Sequence, residues 1–139
     1  MDTALFTEMN WLAILVASVA YFALGAVWYS ALFGKRWVTY HNINIEDPEM
    51  KKGVAGIMIL SFVLMAVAVI CLSYLISRLG LTEAISGVKI GLLSGAGFAA
   101  TGISIGYLYT KKPFGVHLID GLYHVAGHVI AAIILCVWR

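Results

Sequence analysis

VAGIMILSFVLMAVAVICLSYLI, residues 54 to 76, carries no charged side chain, no amide, no histidine and no proline. As a helix rising 1.5 Å per residue it would be about 34 Å long, enough to cross a hydrocarbon layer about 30 Å thick. A helix at a water-facing surface keeps a polar stripe, and this one has none, so its solvent is lipid. In lipid every backbone amide must be bonded within the segment or closed into a barrel, and an unbroken apolar run without alternation means helix. This segment decides the fold class: an all-α membrane protein.

Three further stretches have the same character. Trp11 to Phe33 precedes it. Ala84 to Tyr109 follows and contains one charge, Lys89; Phe114 to Trp138 closes the chain. The sequence therefore predicts four transmembrane helices in a helical bundle, forming a single integral membrane domain over residues 1–139. Composition agrees: 62% of residues are hydrophobic and 12% charged, against about 45–50% and 25% in ordinary globular chains. A net charge of +2 with dispersed basic residues gives no nucleic-acid partner; the lipid bilayer is the expected one. Asp2 and Glu8, with no Lys or Arg before the first apolar run, argue for a retained helix rather than a cleaved signal peptide.

The connections carry turn and charge signals. Gly34-Lys35-Arg36 closes span one, Pro48 is a breaker or helix start, Gly80 follows span two, Thr82-Glu83 reads as a cap for span three, and Lys111-Lys112-Pro113 separates spans three and four. Lys35, Arg36, Lys51, Lys52, Lys111 and Lys112 lie in the first and third loops, against Arg78 and Arg139 on the other side. The excess places those loops in the cytoplasm of a bacterial inner membrane and both termini outside. The segment KRWVTYH, residues 35 to 41, reads as basic and interfacial. Trp11, Trp28, Tyr29, Trp37, Tyr107, Tyr109 and Trp138 cluster near the span ends, as an anchoring belt would. Cys71 and Cys136 sit in apolar runs and read as buried, inert thiols.

Span three is rich in glycine. On an ideal helix Gly91, Gly95, Ala99, Gly102 and Gly106 share an arc of about 80°, a seam for close backbone approach. That seam packs inside the chain or joins a homo-oligomer. The ends of spans one and three, GAVWYSALFGKRWV and GISIGYLYTKKPFGV, resemble each other weakly, which suggests two related hairpins.

Span four contains HLIDGLYHVAGH, residues 117 to 128. His117, Asp120, His124 and His128 follow at spacings of three, four and four, so on a helix they lie within about 80° of one another. Charge at membrane depth is expensive, so this face must meet other helices, a cavity or a symmetry mate. Lys89 lies about 20 Å along the axis from Asp120 and is rejected as its partner. Ser104, Ser61, Tyr29, Ser30 and His124 are the depth-matched candidates. Three uses compete: a packing network, a polar path for a proton, ion or small solute, and a metal or haem site in which His124 and His128 share a metal with Asp120 or His117. No nucleophile stands beside a clear base, which argues against an enzyme.

Asn10-Trp11-Leu12-Ala13, Gly25-Ala26-Val27-Trp28-Tyr29-Ser30, Phe33-Gly34-Lys35 and Trp37, with Asp120-Gly121-Leu122-Tyr123-His124 through Val137-Trp138, resemble the bacterial membrane family catalogued as domain of unknown function 1761. The likeness covers nearly the whole chain. It implies a small four-span inner-membrane protein, and no activity, cofactor or catalytic residue; Trp28, Tyr29 and Trp37 belong to its signature. The expectation is a transporter- or channel-like module with its polar path along span four, or alternatively a metal- or haem-binding or structural membrane subunit.

Overall fold

The computed structural model describes residues 4–138; Asp2 and Arg139, used above, lie outside them. Four helices are long and apolar enough to cross a membrane: span one, Trp11–Leu32; span two, Val54–Leu79; span three, Ala84–Tyr109; and span four, Phe114–Val137. Shorter helices cover Ala4–Glu8, Gly34–His41 and Pro48–Lys51, and no strand occurs among the described residues. Asn10 starts span one by accepting a hydrogen bond from the Ala13 amide at 3.0 Å. Pro48 opens its short helix behind Asp47, which caps the Glu49 amide at 2.9 Å. Span two runs past Ile76 to Leu79, because it continues until Gly80 can adopt φ 64° and close the last turn. Glu83 occupies the cap position of span three without a side-chain bond.

Span four is the hub, contacting all three other spans. Span three lies along it with Gly87, Gly91 and Gly95 turned inward. A Cβ added at Gly91 would stand 2.5 Å from the Val129 Cα, and one at Gly87 or Gly95 would stand 2.7 Å from the Cα of Ile133 or Val125. Only glycine permits backbones this close. Span one meets span four through Ala13, Ala17 and Tyr21, which are fully or almost fully buried. Span two buries only residues of its later half, Val69, Leu72, Ser73 and Ile76, while residues 51–60 are all exposed.

The predicted glycine seam holds for Gly91 and Gly95 and ends there. Gly102 and Gly106 are exposed, and a Cβ added at either would meet nothing within 4 Å. The cause is a π-helical stretch, Gly95–Ala100. A wider turn makes everything after it lag by about one residue, or ~100°, which rotates Gly102 off the face and brings Tyr107 toward it. A second π-helical stretch, Trp28–Leu32, ends span one. Cys136 is buried as expected, whereas Cys71 is exposed on the side of span two turned away from the bundle. The two hairpins are not packed equivalently: span four touches span one extensively, but spans two and three barely meet.

Candidate functional site

Asp120, 5% exposed, anchors the site. The Tyr29 hydroxyl donates to Oδ1 at 2.6 Å, the Tyr107 hydroxyl donates to Oδ2 at 2.5 Å, and Trp37 Nε1 donates to Oδ2 at 3.4 Å. Trp28 Nε1 donates to the Ile119 carbonyl, one residue away, at 3.0 Å. The three signature aromatics therefore converge on one turn of span four. Trp28 and Tyr29 lie in one π-helical stretch, Tyr107 follows the other, and Trp37 sits on the short helix Gly34–His41 that follows span one.

His41 extends this cluster at the loop side. Its ring lies 4.3 Å from that of Trp37 and 6.2 Å from that of Tyr107. Its Nε2 is buried with no partner among the described residues. Burial lowers its pKa below the usual histidine value, the Lys112 ammonium adds to that, and Asp120 opposes it. The His117 ring meets that of Tyr107 edge to face, with centroids 5.5 Å apart.

His124 and His128 form a second group. The Tyr21 hydroxyl bonds His124 Nδ1 and lies 3.4 Å from His128 Nδ1; His128 Nδ1 itself is 2.8 Å from the His124 carbonyl oxygen. Tyr123 stands between the two groups, its ring 5.1 Å from Tyr29, 5.5 Å from Tyr21 and 4.9 Å from His124.

The one-faced stripe thus divides. Of the candidate partners for Asp120, Tyr29 holds it. His124 is taken by Tyr21, and Ser30 turns back to the Ala26 carbonyl. The three-ligand metal site is not assembled: no group of three His, Cys, Asp or Glu that could hold a metal occurs among the described residues. Asp120 points to its aromatic donors and the histidines to Tyr21, so helical spacing alone did not bring their ligand atoms together. By sequence Tyr107 and Trp37 read as interfacial anchors, and Tyr21 and Tyr123 carry no role of their own. A tyrosine in mid-span is itself a signal, because a buried phenol needs a hydrogen-bond partner.

Two cavities adjoin these groups, and a third lies apart from them. One of about 660 Å³ lies between spans one and two above the Gly34–His41 helix and reaches Tyr29, Trp37, Ser61 and Tyr123. A second, also about 660 Å³, opens between spans two and three and reaches Tyr21, Tyr29, His124 and His128. A third, about 270 Å³, lies at the other end of the bundle among Asn10, Ser73, Ser77 and Trp138. Between it and the first two lies the packed layer of Ala17, Val69, Leu72 and Ala131.

The sequence matches the model of a family described as protein of unknown function DUF1761 over residues 12–136. No curated protein and no solved structure matches the chain.

Proposed function

Since the chain belongs to the DUF1761 family, whose description assigns no activity, we propose from the site itself that it is a small transporter- or channel-like module of a bacterial inner membrane, with both termini outside. The polar face of span four, His117, Asp120, His124 and His128, serves a proton or small polar solute. The observation that carries this is Tyr29: it holds Asp120 and also lines both large cavities. A solute entering beside Trp37 would meet that hydroxyl first, then the Tyr21–His124–His128 group. The packed layer beyond is the barrier that a working cycle must open. Proteoliposomes loaded with a pH-sensitive dye test this. Proton entry should fall at least tenfold in Asp120→Asn, and wild-type vesicles as tight as empty ones would rule out a proton path.

A second reading has its own support. Asp120 accepts hydrogen bonds from three donors on three segments, the arrangement of a network that fixes helix packing. Under that reading Asp120→Asn changes stability and leaves flux at background.

A further inference from the structure

We propose that the groove between spans two and three binds the hydroxyl head of an uncharged, lipid-soluble alcohol or phenol, held between Nε2 of His124 and Nε2 of His128. This goes beyond a proton path and does not require one.

The hydrogen bonds determine where the ring protons sit. His128 Nδ1 lies 2.8 Å from the His124 carbonyl oxygen, which can only accept, so that nitrogen carries the proton. The neutral His128 ring then has a lone pair on Nε2. The Tyr21 hydroxyl is buried and needs an acceptor for its own proton; with His128 Nδ1 already protonated, His124 Nδ1 is the acceptor within reach, and the hydroxyl donates to it. The neutral His124 ring therefore carries its proton on Nε2. One N–H and one lone pair, a helical turn apart, are left for the groove that both rings line. Neither Nε2 bonds another described residue.

A hydroxyl completes this pair because it accepts and donates at one atom. Two hydrogen bonds of about 2.8 Å meeting at a tetrahedral oxygen need nitrogens roughly 4.5–5 Å apart. Side chains at i and i+4, with Cβ atoms about 5–6 Å apart, are close enough for two ring nitrogens to reach one oxygen. A ketone or an ether can use only the N–H. No charged side chain lines the groove, which selects an uncharged head. Spans two and three barely touch, so the entrance faces sideways into lipid, and Leu64, Met65, Phe98 and Ile103 give the tail apolar walls. A volume of about 660 Å³ accommodates a molecule of ligand size.

The test uses the full chain in phosphatidylcholine nanodiscs and two photoreactive probes, a diazirine-bearing long-chain alcohol and its methyl ether. The alcohol should label residues 64–68 or 98–103 at least tenfold more than the ether does. His128→Phe should erase that preference, because the hydroxyl loses its acceptor while the N–H of His124 remains. Ala68→Trp fills the groove while leaving both histidines in the chain and should abolish labelling, which keeps the test decisive if a histidine variant does not fold. Equal labelling by both probes, labelling that survives Ala68→Trp, or none above background overturns the proposal. Proton flux without labelling removes this inference alone; labelling without flux upholds it and counts against the proton path alone.

Discussion

Spans two and four are nearly equal in length, 26 and 24 residues, and the more apolar of them is the less buried. Only 6% of the most apolar window of span two lies inside the molecule, against 44% for span four. In water that order would be reversed. In lipid, an apolar side chain gains little by leaving its solvent, so contacts form where backbones can approach closely or polar groups need partners. Span four has both: Gly121 and Gly127 on its buried face, and Asp120 with three aromatic donors. Over its first half span two has no such contact: a Cβ added at Gly56 would meet nothing within 4 Å, and Ser61 lines the two large cavities on either side of the helix.

The largest effect should come from removing the polar hub. Asp120→Ala leaves Tyr29, Tyr107 and Trp37 without their acceptor. Hydrogen bonds inside membrane proteins contribute about 0.6 kcal/mol each on average and about 1.7 at most, so three predict a loss of about 2–5 kcal/mol in mixed-micelle unfolding. Truncation to Ala of Leu60, which is 59% exposed, should cost less than about 0.5 kcal/mol. Equal costs at the two sites would break the contrast between the helices.

The next effect sharpens the contrast within a single helix. Gly91→Ala drives a methyl group into the Val129 backbone and should cost about 1–3 kcal/mol. Gly102→Ala, on the same ideal-helix face but beyond the π-helical stretch, should be neutral or slightly stabilising, since Ala favours helix by about 1 kcal/mol. If thermal unfolding in detergent gives both substitutions the same sign, the rotation assigned to Gly95–Ala100 is wrong.

These two sites also mark what could be read from the sequence. The four spans were legible because lipid imposes a length and forbids charge, and that constraint acts on each segment alone. The same holds for the polar face of span four. What the sequence could not show was phase after an irregular turn. A wheel at 100° per residue carries Gly102 to the seam and leaves Tyr107 at the edge as an anchor, and one inserted π turn exchanges them. Nor could spacing show which way a side chain turns: His124 is one turn from Asp120, yet its Nδ1 belongs to Tyr21. Trp37 is harder still, because it reaches Asp120 from Gly34–His41, a separate helix outside the spans.

The smallest effect concerns the loop-side edge of the hub. His41 is held neutral first by burial and second by Lys112, with Asp120 pulling the other way, and its folded pKa lies below the ordinary value of 6.5. In the unfolded chain the ring takes up its proton near that ordinary value, before the folded ring does. The sign follows: the His41 contribution is fully present above about pH 6.5 and is lost as pH falls through the folded pKa. Unfolding midpoints measured from pH 7.5 down to 5 should therefore decline less in His41→Gln than in the wild type, with the two curves parallel above pH 7. The two curves separate only if the Trp37–His41 stack, 4.3 Å between ring centroids, excludes water at the edge of the Asp120 cluster. Identical declines would mean that water reaches His41 freely, and the inner end of the polar face would then be an open rim. A steeper decline in His41→Gln would reverse the sign and make the neighbouring Asp120 carboxylate, and not burial, the dominant influence on this ring.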